Sequence, residues 1–336
     1  MRNTKVYVVL FLLIGSLSLS GQEIKDRPKD GEGIYAFLKR HNRLTREDYE
    51  AFIALNKNKL GKNNELKKHH TYVIPSTVDV KLDEKGSSHR TVWKEPLFGK
   101  KEERVELLNN QLKGACFYIV SGHGGPDPGA IGKMGNHQLH EDEYAYDIAL
   151  RLAKNLMQQG AQVHILIQDA KDGIRNDRYL SNSKRETCMG EKIPLSQVAR
   201  LKQRSDKINQ LYEKDKHKYR YCRSIFIHLD SRSYHKQLDV FFYHAPESKL
   251  GAQLANEMKR TFASKYNTHQ PNRGFTGTVS SRSLYVLTKT QPVGLFVELG
   301  NIQNQFDQRR FVLSSNRQAL ANWLALGIWN DFKKSR

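Results

Sequence analysis

Cys116-Phe117-Tyr118-Ile119-Val120 is a short apolar run that stops abruptly at Ser121-Gly122-His123-Gly124-Gly125-Pro126-Asp127-Pro128-Gly129-Ala130-Ile131-Gly132. Its β-branched and aromatic content and its glycine-rich end predict a buried strand that delivers His123 into a loop at the strand's carboxyl end. In open α/β sheets that edge collects ligands and catalytic groups, because loops leaving it vary without disturbing the packed strands. The loop fits neither common phosphate-binding pattern. Asp127 stands where a P-loop ending at Gly132-Lys133 needs its first glycine, and Met134 stands where that loop needs Ser or Thr. Asp127 also occupies the third glycine position of a dinucleotide fingerprint begun at Gly122 and Gly124. What remains is a histidine among glycines that let backbone and a metal approach closely. One histidine is equally at home in a structural role, so the case rests on partners elsewhere in the chain.

The 336 residues suffice for one sizeable α/β domain and a small companion. Residues 1–21 have a basic start (Arg2, Lys5), an apolar run from Val6 and small residues near Gly21, which predicts a secretory signal peptide rather than a stable membrane span. No cysteine lies near its end, so a lipid anchor is not suggested, and a secreted or periplasmic soluble protein is expected. The net charge of +20 calls for an anionic partner. Nucleic acid is disfavoured by export and by the scatter of Lys and Arg along the chain. An anionic cell wall or membrane surface fits better. Only Cys116, Cys188 and Cys222 occur, which is no disulfide framework. Cys116 and Cys222 open predicted core strands, where a bridge and buried thiols are both open; Cys188 is expected in a polar loop.

Residues 27–76 read as a compact unit. Ile34, Phe37 and Leu38, then Tyr49, Phe52 and Ile53, have helical spacing, and Tyr72 to Pro75 reads as a closing strand. Residues 77–112 are charged, with Gly86-Ser87-Ser88 and Pro96, and read as a linker or lead-in in which Val92 and Trp93 add an edge strand. The main domain is expected over 113–333. Ala145, Ile148, Ala149, Leu152, Ala153 and Leu156 line one face of a helix that puts Glu141 in its first turn, with Asp142 and Glu143 as rivals. Gln162 to Ile167 predicts a second strand, 169–198 a lid, an insertion or a mobile loop over the site, and Leu201, Ile208 and Leu211 a helix carrying Arg204. Ser224-Ile225-Phe226-Ile227-His228 is another apolar strand with a histidine at its carboxyl end. Val293 to Val297 ends likewise in Glu298, enclosed by Val297 and Leu299, a carboxylate that burial would tune for proton transfer. Gln318 to Phe332 closes the chain as a buried helix. The expected class is α/β: a central, mostly parallel sheet with helices on both faces, plus a small N-terminal βααβ module.

Two histidines from separate strands and a glutamate at a facing helix start have the composition of a catalytic zinc site, which uses three protein ligands and leaves a fourth position open. From about Cys116 to Phe332 the chain resembles the zinc-dependent N-acetylmuramoyl-L-alanine amidases of the amidase-3 type. The family's His-Gly-Gly-x-Asp-Pro-Gly-Ala is matched by His123 to Ala130, its helix-leading glutamate by Glu141, its Ser-Ile-His by Phe226-Ile227-His228 and its Val-Glu-Leu-Gly by Val297 to Gly300. The resemblance implies that His123, Glu141 and His228 bind Zn2+, that Glu298 is the catalytic glutamate, and that the substrate is peptidoglycan. It also implies a possible protein activator, since some relatives occlude the site until one binds. The chain departs from the pattern at Val120-Ser121, at Leu229 and in a longer gap between His123 and Glu141, changes that bear on substrate fit. Residues 27–76 resemble a lysin motif, the βααβ module that binds peptidoglycan glycans, through Gly31-Glu32-Gly33-Ile34-Tyr35, Leu55-Asn56 and Tyr72-Val73-Ile74-Pro75. Alternatives are a zinc endopeptidase or carboxypeptidase, or an inactive wall-binding protein.

Overall fold

The computed structural model describes residues 24–29, 32–41, 43, 46–61, 64–75, 91–229 and 239–335. The expected signal segment 1–21, residue 76 of the expected module and residues 77–90 of the expected linker lie outside them. The chain divides into two units, Met1–Ser88 and His89–Arg336.

In the first unit, strand β1 (Lys25–Asp26), helices α1 (Ile34–Arg40) and α2 (Arg46–Asn56) and strand β2 (Tyr72–Val73) follow in that order. The two strands pair antiparallel, Lys25 opposite Val73. Phe37, Phe52 and Tyr72 are fully buried and form the centre of the small core. Asn56 clamps α2 to β2: its buried side-chain amide accepts the Val73 N–H at 2.8 Å and donates to the carbonyls of Phe52 and Val73. The helical face expected at Tyr49, Phe52 and Ile53 holds at Phe52, but Tyr49 is exposed. Its periodicity alone does not tell a rim position from a core one.

The second unit opens with an antiparallel hairpin, β3 (Val92–Lys94) and β4 (Arg104–Glu106), joined through a 3-10 turn at Pro96–Phe98. Phe98, Val105 and Leu112 are fully buried in the main core. The described part of the expected linker is therefore an integral layer of the large unit. Its apolar residues are isolated, so no period announced the burial.

Strand β5 (Ala115–Ser121) leads through a hairpin, β6 (Ile131–Met134) and β7 (His137–His140), to α3 (Glu141–Gln158) and then β8 (Gln162–Ile165). The hairpin occupies the longer gap between His123 and Glu141. Short strands β9 (Ile167–Gln168), β10 (Thr187–Cys188) and β11 (Glu191–Lys192) form a small sheet of their own, followed by α4 (Gln197–Asp215) and β12 (Tyr221–His228). The remainder is β13 (Phe241–His244), α5 (Lys249–His269), β14 (Thr278–Ser281), α6 (Tyr285–Lys289), β15 (Val293–Glu298), α7 (Gln308–Val312) and α8 (Ser314–Lys334).

The central sheet has six strands in the order β14-β13-β15-β12-β5-β8. All neighbours are parallel except β13 and β15. Side chains alternate between faces. Phe117, Ile119, Ile225, Ile227, Leu295 and Val297 bury against residues of α3, α5 and α8, while Tyr118, Val120 and Phe226 pack with Ile208 of α4 and Val286 and Leu287 of α6. Helices thus cover both faces, as the near-continuous apolar strands require.

The stretch expected as a lid, an insertion or a mobile loop is a packed insertion. Asp169, Ser183 and Glu186 are buried within it, and Cys188 is a buried strand residue rather than part of a polar loop. Cys116 and Cys222 lie opposite one another on β5 and β12, and all three thiols are free. Among the described residues, no helix is long and apolar enough to cross a membrane.

Candidate functional site

The site is built where β5, β12 and β15 end. At the end of β5 the backbone turns through His123, whose φ of 60° is unusual for a residue other than glycine. Two glycines clear the space around it. A Cβ at Gly122 would lie 2.4 Å from the His228 ring, and one at Gly129 would lie 2.7 Å from the His123 ring and 2.8 Å from Glu141 Oε2. The imidazoles and the carboxylate therefore gather against bare backbone.

Glu141 is the first residue of α3, the electropositive end of the helix dipole. Both of its oxygens are held: Oε1 accepts the Leu229 N–H and Oε2 the Ala130 N–H, each at 2.9 Å. Oε2 lies 3.2 Å from His123 Nε2, and Oε1 lies 3.3 Å from His228 Nδ1. The rivals point elsewhere. Glu143 turns to Arg175 at 2.8 Å and to the Ser183 N–H, and Asp142 accepts the Glu143 N–H.

Asp127, the aspartate of the His123–Ala130 motif, orients the first histidine. Its Oδ2 is 3.0 Å from His123 Nδ1 and also takes Arg200 at 2.7 Å. A carboxylate on Nδ1 keeps the proton there and leaves Nε2 facing Glu141, an arrangement that metal-binding histidines commonly use. Arg204, buried, donates to the His123 carbonyl. Its place on α4 was legible; its reach to the loop depends on how α4 packs. The His228 ring stacks on Phe296, with centroids 4.3 Å apart and planes 17° apart.

The electrostatics suit a cation. Burial disfavours charge on His123, but Glu141 and Asp127 outweigh it and push the imidazole up to about 10. Burial likewise resists charge on Glu141, yet the neighbouring imidazoles hold it well below the usual carboxylate range. Burial lowers His228, which favours its neutral, ligating form. Each of His123, Glu141 and His228 offers a ligand atom within 4.8 Å of the others. Bonds of about 2.0–2.1 Å to a tetrahedral zinc place neighbouring donors about 3.3 Å apart. His123 Nε2 and His228 Nδ1 lie 3.2 and 3.3 Å from different oxygens of Glu141, close to that spacing, and two imidazoles with a carboxylate are donors that zinc takes.

Beside the two histidines lies a cavity of about 170 Å3 whose lining includes Arg200, Leu201 and Arg204 of α4, Tyr285 and Val286 of α6, and Phe296. Glu298 ends β15 directly opposite His228 in the parallel register, so both side chains leave the same face of the sheet. Glu298 is half-buried.

The sequence model of the amidase-3 family of N-acetylmuramoyl-L-alanine amidases matches residues 118–330, a span that contains every residue of this site. The chain belongs to the N-acetylmuramoyl-L-alanine amidase family. Among its relatives, a protein of Buchnera aphidicola subsp. Acyrthosiphon pisum, named as a candidate N-acetylmuramoyl-L-alanine amidase, is 24% identical over 253 residues, covering 65% of this chain and 94% of that protein. Two solved amidase structures are similar to it. The N-acetylmuramoyl-L-alanine amidase of Clostridium difficile 630 aligns at 19% identity and TM-score 0.46, covering 66% of this chain and 98% of that one. The amidase AmiC2 of Nostoc punctiforme aligns at 20% identity and TM-score 0.44, covering 67% and 99%. Within this amidase, the matched span begins inside β5 and ends inside α8, so it includes the central sheet and excludes the N-terminal unit.

Proposed function

We propose that this family member cleaves the amide between N-acetylmuramic acid and L-alanine of peptidoglycan, with zinc held by His123, Glu141 and His228 and with Glu298 as the acid–base residue. The observation that carries the zinc assignment is the convergence of the three donor atoms within 4.8 Å at the carboxyl edge of the sheet. A zinc ion so held supplies Lewis acidity and lowers the pKa of a coordinated water towards neutrality. The protein's own groups do the rest. Asp127 fixes the His123 tautomer and ring, and the two backbone N–H donors hold the Glu141 carboxylate in one rotamer. Glu298, beside His228, takes a proton from the attacking water and passes it to the departing L-alanine nitrogen. The cavity between α4 and α6 receives the substrate and limits bulk water around the reacting carbonyl.

The finer setting follows the same reading. The chain acts outside the cytoplasm on the wall, and its βααβ unit binds glycan strands in the manner of a lysin motif. Because α4 contacts both Asp127 and the His123 loop, it is where a protein activator would act.

The test is digestion of murein sacculi by zinc-loaded protein. Amidase action frees stem peptides and leaves a lactyl carboxyl on the sugar, which mass spectrometry separates from cleavage within the peptide. Glu298→Gln is expected to keep its zinc and lose about 10²–10⁴-fold in rate. Equal rates for the parent and this variant would remove Glu298 from the chemistry, and peptide-bond cleavage alone would refute the amidase reading.

A further inference from the structure

Next to Glu141 along α3 begins a second group of acids that the proposed reaction does not use. Asp142, Glu143 and Glu186 each offer a carboxylate oxygen within 4.8 Å of the others. Their exposures are 3%, 1% and 7%, so all three are more than nine-tenths buried. Two come from the first turn of α3 and one from the excursion that leads into β10. Glu143 is partly answered, by Arg175 and the Ser183 N–H, and Glu186 accepts the Gly125 N–H at 2.9 Å. Asp142 is not: Oδ1 accepts the Glu143 N–H, while Oδ2 is buried with no hydrogen-bond partner.

A buried carboxylate oxygen with no donor is costly unless positive charge lies beside it. Arg175 reaches the cluster through Glu143 and is itself shared with Asp172, so it does not answer the Asp142 oxygen. A divalent cation seated among the three converging oxygens would answer the orphaned one. The donors are all carboxylate oxygens, with no imidazole or thiolate, which selects a hard ion over zinc.

We propose that Asp142, Glu143 and Glu186 form a second cation site, for a hard divalent ion such as Ca2+ or Mg2+, that fastens the 169–195 excursion to the loop carrying His123. The connection is direct. Glu186 already holds Gly125, two residues beyond His123, and Glu143 already holds Ser183. An ion shared by these carboxylates joins α3, the excursion and the His123 loop at one point.

The experiment uses the full chain, stripped with chelator and reloaded with one equivalent of zinc. Ca2+ and Mg2+ are then titrated separately by calorimetry, and bound metals are counted by mass spectrometry. One Ca2+ or Mg2+ per chain is expected in addition to the zinc, with hydrogen exchange at Gly125 and Ser183 slowed at least tenfold. Asp142→Asn and Glu186→Gln are expected to keep their zinc and weaken the second ion at least tenfold; Glu186→Gln serves alone if Asp142→Asn does not fold. The proposal is overturned if the zinc-loaded parent binds neither ion at millimolar concentration, or if it binds one that both variants retain. It is also overturned if the parent binds none and Asp142→Asn melts above it, because a shared proton then fills the place.

Discussion

Asp127 shows how much one side chain outside the metal-ligand set can decide. It contacts His123 Nδ1 and Arg200 but is not among the three proposed ligands. Asp127→Ala should therefore lower zinc affinity by about 10–100-fold while leaving the circular dichroism spectrum unchanged, a result that competition with a zinc chelator would measure. Asp239 is a residue of the opposite kind, buried and structural. Its Oδ2 accepts the N–H and hydroxyl of Thr276, and Arg273 and Arg310 approach Oδ1. Burial opposes its charge, but the Thr276 donors and Arg273 outweigh burial and hold the carboxyl below its usual value. A lowered acid stabilises the fold above its unfolded pKa, and that stabilisation is lost as pH falls through the folded value. Asp239→Asn should accordingly cost about 1–3 kcal/mol at neutral pH. The gap between parent and variant in urea melts should narrow as pH falls below about 4, the usual carboxylate range. The placement of His123 and His228 at one sheet edge was legible because each follows an apolar run. The contact of Asp127 with Arg200 was not, since the two lie 73 positions apart.

Among the elements, α3 and α8 are joined by charge as well as by apolar packing. Asp147 of α3 is fully buried and takes Arg151 at 2.8 Å, Arg317 of α8 at 2.5 Å and the Arg175 N–H at 2.7 Å. Removing one partner of a buried pair strands the other, at a cost of about 3–5 kcal/mol. Asp147→Ala should lose stability of that order in denaturant melts, and Arg317→Met combined with Asp147→Leu should recover part of it. The helices themselves were readable from their period, and the closing helix stands at Ser314–Lys334. The hairpin β6–β7 and the small sheet β9–β10–β11 were not readable. Their strands are two to four residues long, and Gly132, Gln138 and Glu191 give them no alternating apolar pattern. Of the lid, insertion or mobile loop expected at 169–198, the structure shows a packed insertion, because its polar residues are satisfied by buried partners, as with Ser183 on Asp169.

Over the whole molecule, the boundary of the large unit falls near His89 rather than near residue 113. Phe98, Val105 and Leu112 contribute to the same core as Phe117 and Ile225. A chain of residues 89–336 should fold and cleave sacculi, with any loss confined to binding of intact wall. A chain beginning at 113 should lose well over 5 kcal/mol, since each large apolar side chain removed from a core costs about 2–5 kcal/mol. Melting curves of the two truncations compare these directly. The sequence alone determined the class of fold and put His123 and His228 forward as candidate ligands, because both follow from local facts: apolar runs long enough to be buried strands, and polar residues placed where those runs end. Tertiary structure alone decided which of Glu141, Asp142 and Glu143 faces the histidines, what holds each ligand still, and how far the core extends towards the N-terminus. Those outcomes depend on through-space distances of a few ångströms between distant segments, and spacing along the chain does not encode them.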